Sequence, residues 1–254
     1  RLARESGRYA REQKHLDELA ALLGLKEPPR IIESYDISNW GDGTSVAGMV
    51  VFEDGKPKKA GYRRFKMNTV AGTDDYASMA ETLARRAAEY EKGAKGQFGI
   101  KPDLLLIDGG RGQVSAVQAA LAGTQLADVP MFGMVKDDKH RTRGLVSAAG
   151  GEIMLAMHRG VFTFVTSIQD ETHRWANDYR RRMQKSRAYS STLQSVPGVG
   201  PATSRALMAH FKTVSAVKEA SEEQLAGAKG VSRAAARAVY AHFHPQPEQP
   251  SAET

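Results

Sequence analysis

The chain has 254 residues, and its 36 lysine and arginine side chains against 29 aspartate and glutamate side chains give a net charge of +7. Hydrophobic residues make up 41% of the chain and cysteine is absent. This composition indicates a globular protein and excludes disulfides, cysteine-bound zinc, iron–sulfur clusters and thiol nucleophiles. No run of about 18 apolar residues occurs, so the sequence predicts no transmembrane helix and no membrane partner. The positive charge favours a polyanionic partner such as nucleic acid.

The N-terminal segment, residues 1–28, is predicted to be a packing or linker helix. An apolar stripe from Leu16 to Leu23 supports the helix, and Gly24 followed by Pro28 ends it. The first 14 residues lack the apolar segment of a signal peptide, and a cytoplasmic location is expected. The chain starts without methionine, which suggests a fragment of a longer protein.

Residues 29–187 are predicted to form an α/β domain, a mixed sheet flanked by helices. The predicted elements in chain order are strands at 30–38, 44–52 and 58–67, a helix at 74–92, a strand at 103–110, a helix at 112–122, a strand at 130–135 and a helix at 164–187. The Asp54-Gly55 pair predicts a tight hairpin turn, so the first three strands form an antiparallel meander. The later alternation of strands and helices adds the parallel part of the sheet.

Residues 192–244 have no strand pattern and contain an internal repeat. A glycine-containing turn at 195–200 precedes a helical run at 202–211, and a second turn at 227–232 precedes one at 234–243. Each half is therefore predicted to be a helix, a short hairpin and a second helix, in a small all-α domain. The Pro-rich polar tail, 245–254, is predicted to be disordered.

Two aspartates are candidate functional residues because of their places in strands. Asp36 lies in a β-rich run whose same face carries Ser34 and Ser38, which indicates a polar mouth; a solvated strand-end acid is the alternative. Asp108 ends an apolar strand and precedes two glycines, at the edge of a parallel sheet where ligands bind. The alternative for Asp108 is a role in shaping the turn.

Two further positions are candidates on helices. Asp74 and Asp75 stand where a helix begins, where capping alone explains an acid, although one of them could point into a shared site. His173 lies on the long helix in a polar stripe, and a packing or surface role is the alternative to catalysis. The stripe consists of Thr166, Asp170, His173 and Asn177.

Carboxylates on adjacent strands of a mixed sheet suit Mg²⁺ or Mn²⁺, which prefer oxygen ligands. Such a site can hydrolyse phosphodiesters, and a nearby histidine can move protons near neutral pH or help as a ligand. This layout resembles the RNase H-like nuclease fold.

Six stretches carry a closer resemblance: YDIS (35–38), YRRF (62–65), DDYASM (74–79), LLLIDGGRGQ (104–113), KDDKHRTRGL (136–145) and DETHRWA (170–176). These stretches occur in the right order for the UvrC family, the nuclease subunits of the bacterial excinuclease. The chain therefore resembles the C-terminal half of that family. The resemblance implies an RNase H-like endonuclease domain followed by a tandem helix-hairpin-helix domain. The resemblance does not include the family's N-terminal GIY-YIG nuclease domain or its small UvrB-binding module.

The resemblance also implies roles. Asp36 and Asp108 match the family's metal-binding aspartates, His173 its catalytic-site histidine, and Asp75 a further acidic residue. The implied cofactor is Mg²⁺ or Mn²⁺. The implied reaction is the 5′ incision beside a lesion after the 3′ cut, on damaged double-stranded DNA loaded with UvrB, with UvrA as an indirect partner.

Basic residues near these motifs are candidates for DNA backbone contact rather than base recognition. Residues 171–189 carry six basic side chains against two acidic ones, although a solvated helix face has the same appearance. Arg111 stands where the family often has lysine, which keeps the charge. The candidates are Arg63, Arg64, Arg111, Lys136, Lys139, Arg141, Arg143, Arg174 and Arg181.

The two hairpins are candidates for phosphate binding through backbone N–H groups at helix starts. The first, Gly198-Val199-Gly200, is a strong helix-hairpin-helix match, whereas the second, Gly230-Val231-Ser232, lacks the usual proline. Backbone binding suits a segment with six basic and five acidic side chains between 190 and 254. A plain helical bundle with glycine turns is the alternative.

Two rival functions stay open. A catalytically silent module would dock DNA or UvrB without cutting. Another metal nuclease on the same fold, a junction resolvase or a ribonuclease, would prefer branched DNA or an RNA–DNA hybrid.

Overall fold

The computed structural model describes residues 2–39, 45–67, 74–138 and 142–245, without the side chains of 2–11, 179, 180 and 182–191. The chain divides into two compact units, residues 1–180 and 181–254. Lys139, Arg141 and the tail from 246 onward lie outside the described residues. None of the helices within the described ranges is both long and apolar enough to span a membrane.

One sheet forms the centre of the first unit, with eight strands in the part of the chain that the structure describes. The strands are β1 Ile31–Asn39, β2 Ser45–Glu53, β3 Lys56–Pro57, β4 Arg63–Lys66, β5 Leu104–Ile107, β6 Met131–Lys136, β7 Thr142–Val146 and β8 Glu152–Met154. Their order is β3-β2-β1-β5-β6-β7-β8, and β4 also pairs with β2. The central strands β1, β5 and β6 are parallel, and the other pairs are antiparallel. The predicted mixed sheet is therefore confirmed.

Helices cover both faces of the sheet. They are α1 Leu2–Leu23, α2 Asp75–Glu91, α3 Arg111–Leu121 and α4 Arg159–Gln194. One hydrophobic core joins α2 and α3 to one face, where Met79, Leu83 and Val117 meet Leu105 and Ile107. The second core joins α1 and α4 to the other face, where Leu19, Val165 and Ile168 meet Leu104 and Leu106. Side chains alternate between faces along each strand. Successive residues of a strand therefore contact different pairs of helices.

Two predicted elements differ from the observed ones. The strand expected over 58–67 is observed only as β4, because a 3₁₀ turn at Lys59–Gly61 forms the first part of that range and separates β4 from β3. The long helix predicted over 164–187 begins five residues earlier and ends seven residues later, as α4 Arg159–Gln194. The predicted hairpin turn is confirmed, since Asp54 and Gly55 both have positive φ, 50° and 77°, as a type I′ turn requires.

The second unit contains α5 Pro201–Phe211, α6 Val214–Glu219, α7 Glu222–Ala226 and α8 Arg233–Phe243. Both predicted hairpins adopt the same turn. Val199 N–H donates to Val196 O at 3.0 Å, and Val231 N–H donates to Ala228 O at 3.0 Å. The glycines before these valines, Gly198 and Gly230, have φ of +83° and +90°. The second hairpin therefore keeps the turn geometry without the proline.

Candidate metal centre

The sheet places the two candidate aspartates side by side. In the parallel β1–β5 pair, Tyr35 lies opposite Ile107, and Asp108 N–H donates to Tyr35 O at 2.8 Å. The next residue in each segment is the acid, so Asp36, within β1, and Asp108, just after the end of β5, are neighbours. Alternation directs both side chains to the α4 face, and both are largely buried.

Helix α4 adds His173 to the two acids. His173 Nδ1 lies 3.2 Å from Asp36 Oδ2 and 3.9 Å from Asp108 Oδ2. One ligand atom from each of the three residues falls within 4.8 Å of the other two. The histidine side chain is 58% exposed, so the group opens onto a cavity of about 380 Å³ that Gly109, Gly110 and Arg143 also line.

A glycine on β2 lets the helix approach this closely. Gly48 is the register partner of Asp36, and a Cβ built on Gly48 would lie 3.1 Å from the Cβ of Ala176. Ala176 is one helical turn beyond His173. One turn of the helix is therefore packed against strand backbone next to Asp36. The Thr172 hydroxyl adds a 2.9 Å hydrogen bond to Ser34 on β1.

Burial and pairing shift the pKa of two members of the site. Burial raises the pKa of Asp36 despite the hydrogen bond from His173, and the neighbouring Asp108 carboxylate raises the pKa further. The hydrogen bond to Asp36 raises the pKa of His173, although partial burial of the ring acts in the opposite direction. The site thus contains two carboxylates that repel each other, Asp36 and Asp108, and a histidine whose hydrogen bond stabilises the charged form of Asp36.

Two side chains hold the Asp108 carboxylate. Lys136 Nζ, predicted as a DNA contact, lies 3.1 Å from Asp108 Oδ2. Gln169 Nε2 donates to Asp108 Oδ1 at 2.8 Å, and Gln169 Oε1 accepts from Thr142 at 2.6 Å. Gln169 is not among the site residues predicted from the sequence. Its spacing of four residues before His173 places it on the same helix face, and that spacing could have identified it.

Asp75 is not in the group of three. Its Oδ1 accepts a 2.6 Å hydrogen bond from Asn39 Nδ2 at the end of β1, and Asn39 Oδ1 accepts from Ser45. Asp74 caps α2 by accepting from Ala77 N–H at 3.0 Å. The structure therefore separates the two acids: Asp74 caps the helix, and Asp75 is tied to the strand that carries Asp36.

The predicted basic residues around the site have partners within the protein. Arg143 forms a two-bond pair with Glu152, and Arg174 one with Glu171. Arg111 Nε donates to Ala148 O, and Arg63 donates to the carbonyls of Ala60 and Tyr62. Arg181 is exposed. DNA contact by these residues stays a prediction.

A cluster of β4 and α4 residues lies beside the site. The Arg64 guanidinium is 3.4 Å from the ring centroid of Trp175, and Trp175 Nε1 donates to Arg63 O at 3.0 Å. Tyr62 packs edge-on against Trp175 at 5.2 Å and donates its hydroxyl to Glu171 at 2.9 Å. Glu171 and Trp175, which lie on either side of His173 in sequence, thus connect α4 to the segment of Tyr62 and β4.

Comparison with known proteins agrees with the fold. A family model described as the UvrC RNAse H endonuclease domain matches residues 20–176, and one described as a SAM-like helix-hairpin-helix tandem matches residues 190–244. The chain is thus an RNase H-like endonuclease domain followed by a tandem helix-hairpin-helix domain. Since the first match covers more than half of the chain, the chain belongs to the UvrC family.

Curated relatives point to the same family. The UvrABC system protein C of Alkaliphilus oremlandii is 44% identical over 230 residues, which cover 85% of this chain and 36% of the relative. That of Lachnospira eligens is 41% identical over 255 residues, covering 96% of this chain and 41% of the relative. The chain therefore spans about two fifths of such relatives. Among solved structures, human ENDOV is 13% identical with a TM-score of 0.33, over 58% of this chain and 77% of that one.

Proposed function

We propose that this chain is the part of a UvrC protein that makes the 5′ incision beside a DNA lesion, by metal-dependent phosphodiester hydrolysis. The observation that carries the proposal is the group of Asp36, Asp108 and His173, whose ligand atoms lie within 4.8 Å of one another at the mouth of an open cavity. An acid pair at this edge of the sheet, with a half-exposed histidine, suits hydrolysis of a phosphodiester that approaches from solvent.

The residues fit a divalent cation of the Mg²⁺ or Mn²⁺ type. Two largely buried carboxylates stand next to each other, and burial raises the pKa of Asp36, so a cation there would offset charge that the protein alone compensates only in part. Oxygen donors favour Mg²⁺ and Mn²⁺ over softer metals. We assign Asp36 and Asp108 as the holding residues. A bound cation supplies positive charge toward the phosphate oxygens and increases the acidity of coordinated water.

The remaining side chains position and move protons. An ionised carboxylate only accepts hydrogen bonds, so the Nδ1–H of His173 donates to Asp36 and leaves Nε2 of the neutral ring as an acceptor. That nitrogen can take a proton from an attacking water. Gln169 and Lys136 fix the orientation of Asp108 through one carboxylate oxygen each. Asp75 acts from outside this group, through Asn39.

The implied partners follow from the family. Damaged double-stranded DNA is the substrate, UvrB holds it in the complex before incision, UvrA acts earlier, and the reaction takes place in the cytoplasm. The hairpins at 198–200 and 230–232 bind DNA backbone through N–H groups, which suits their positive-φ glycines and the nearly balanced charge of residues 190–254.

The decisive experiment is a cleavage assay on a bubbled or damaged duplex that is pre-nicked on the 3′ side and loaded with UvrB. Asp36→Asn and Asp108→Asn are expected to abolish a cut that depends on Mg²⁺ or Mn²⁺. Asp128→Asn is the matched control, because Asp128 is an exposed acid paired with Lys101 in the loop after α3. Circular dichroism checks that each variant is folded.

Three outcomes contradict the proposal. Full cleavage by Asp108→Asn would remove the assigned site. DNA binding without cleavage in either metal, under conditions where a full-length relative cuts, would favour a silent docking module. Faster cleavage of a four-way junction or an RNA–DNA hybrid than of the bubbled duplex would favour another nuclease of the same fold.

A further inference from the structure

An exposed aromatic side chain lies in the first turn of α2 and has no part in the group formed by Asp36, Asp108 and His173. Tyr76, in the first turn of α2, is 56% exposed, which makes it the most exposed aromatic side chain that the structure describes. Its neighbour Asp75 is hydrogen-bonded to Asn39 at the end of β1. A tyrosine in such a place is hydrated over most of its ring, and folding of the unit does not explain it.

The ring is held in place by a glycine of the next helix. A Cβ built on Gly112 would lie 2.7 Å from Tyr76 Cε1 and 3.1 Å from its hydroxyl oxygen. Gly112 does not have a positive φ, so its backbone would accept any residue. The glycine is therefore required for the space that the tyrosine ring occupies, and the ring packs on the first turn of α3.

The contact between Tyr76 and Gly112 lies two residues along the chain from the lining of the cavity. The first turn of α3 directly follows Asp108-Gly109-Gly110, and these three residues line the cavity together with Asp36 and His173. Arg111, between that segment and Gly112, is exposed and donates through Nε to Ala148 O. The segment that lines the cavity is thus followed, within two residues, by an exposed guanidinium and by the glycine on which the Tyr76 ring packs.

Stacking on an aromatic side chain is how proteins hold single-stranded nucleic acid without reading its sequence. In an intact duplex the faces of each base are covered by its neighbours, so a stacking side chain can bind only a base that has left the stack. We propose that Tyr76 stacks on an unstacked nucleotide next to the scissile phosphate and makes the site prefer DNA that is unpaired at that step. This inference rests on the proposed nuclease function and specifies its substrate.

The test compares Tyr76→Ala, Tyr76→Leu and Tyr76→Phe on a bubbled, pre-nicked duplex. Tyr76→Ala is expected to lower kcat/KM by about 5- to 100-fold, in line with alanine substitutions at stacking residues. Tyr76→Phe keeps the ring and stays close to wild type, whereas Tyr76→Leu, apolar but not aromatic, behaves like Tyr76→Ala. Equal activity of Tyr76→Leu and wild type would overturn the proposal.

A substrate series identifies the nucleotide. One base at a time near the cut is replaced by an abasic analogue. Wild type is expected to lose the full stacking factor at one position, and Tyr76→Ala is expected to lose nothing further there. Losses of the same size in both proteins at every position would contradict base stacking. If wild type cuts none of the substrates, the proposed function itself fails; if it cuts and Tyr76→Ala equals it, only this inference fails.

Two further measurements separate stacking from other roles. Gly112→Ala should impair cleavage in the wild type by displacing the ring, but should have no effect in the Tyr76→Ala background. In an Asp108→Asn background that binds without cutting, 2-aminopurine at the identified position should be quenched by Tyr76 and bright in Tyr76→Ala. A loss that occurs only when UvrB is present, with bubbled DNA alone cut normally, would assign Tyr76 to a protein contact and overturn the proposal.

Discussion

Lys136 controls how much negative charge the two aspartates present to a cation. Its ammonium group lies 3.1 Å from Asp108, and its side chain is 31% exposed, so solvent partly screens the pair. A cation and the ammonium group compete for the same carboxylate. The side chain therefore protects the site from charge repulsion in the absence of metal and must give up part of its interaction when metal binds.

Lys136→Gln is accordingly expected to bind Mn²⁺ more tightly, by about 3- to 10-fold, which is the scale of one partly screened charge interaction. Isothermal titration without DNA measures this affinity. Arg143→Gln is the control, because Arg143 lines the same cavity but is paired with Glu152. Weaker Mn²⁺ binding by Lys136→Gln would mean that the lysine chiefly orients Asp108.

A second residue-scale feature is a buried ion pair beneath the site. Glu33 and Arg86 are fully buried, 2.9 Å apart, and Tyr35 donates its hydroxyl to Glu33 at 2.7 Å. Arg86 also donates to the carbonyls of Phe98 and Ile100. The pair connects α2 to β1, the strand that carries Asp36.

Arg86→Met is expected to lower the free energy of unfolding by about 3–5 kcal/mol, because it leaves the Glu33 carboxylate buried without its counter-charge. Urea unfolding measures the change. The double variant Glu33→Leu/Arg86→Met should recover part of the loss, and Lys101→Ala, in an exposed pair with Asp128, should change stability little. A loss in the double variant equal to the sum of the two single losses would contradict this account.

At the scale of elements, the approach of α4 to the sheet determines the position of His173. Gly48 faces Asp36 across the β1–β2 pair, and its missing side chain leaves room for Ala176 of the helix. Trp175 and Tyr62 fix the same stretch of helix from the side of β4. Nonlocal packing thus sets the distance between His173 and Asp36, on which the proposed catalysis would depend.

Substitution of Gly48 should therefore reduce the rate of cleavage, and a larger side chain should reduce it more. Gly48→Ala places a methyl group 3.1 Å from Ala176 Cβ and is expected to have a small effect, whereas Gly48→Val is expected to lower kcat by roughly 100-fold, the scale of a 1 Å misplacement. Single-turnover cleavage measures the effect, and retained DNA affinity shows that binding is intact. Equal kcat for Gly48→Val and wild type would show that the helix position is not limiting.

The packing of helices and strands also explains which features could be predicted from the sequence. Asp36 lies within a strand, Asp108 just after one and His173 on a polar helix stripe, so local pattern and family resemblance were enough to select them. Gly48 and the Lys136–Asp108 pair depend on strand register and on how α4 packs, which chain spacing does not specify. The spacing of Gln169 from His173 indicates a shared helix face, but its contact with Asp108 depends on the same packing. The strand predicted over 58–67 was wrong in its first part, because a 3₁₀ turn at Lys59–Gly61 replaces residues whose composition is compatible with a strand.

For the whole molecule, the proposed function combines two different kinds of DNA contact in one chain. The first unit carries paired and exposed cationic side chains around its cavity. The second unit has two hairpins whose contribution comes from neutral N–H groups, and its sequence from 190 to 254 has six basic and five acidic side chains. Cationic side chains that contact phosphates release counterions from DNA, so the affinity that they contribute depends on salt concentration. Contacts by neutral N–H groups do not contribute to affinity in this way.

Salt dependence should therefore separate the two units. Gly198→Ala combined with Gly230→Ala forces side chains into left-handed backbone at φ of +83° and +90°, which distorts both hairpins. Duplex affinity is expected to fall by about the same factor at every salt concentration, with an unchanged slope of log K against log[salt]. Arg111→Gln should instead reduce the slope by about one, as expected for the loss of one phosphate contact. Fluorescence anisotropy from 50 to 200 mM salt measures both slopes. A reduced slope in the glycine double variant, with Mn²⁺ affinity unchanged, would mean that the hairpins act by positioning cationic side chains rather than through their own backbone.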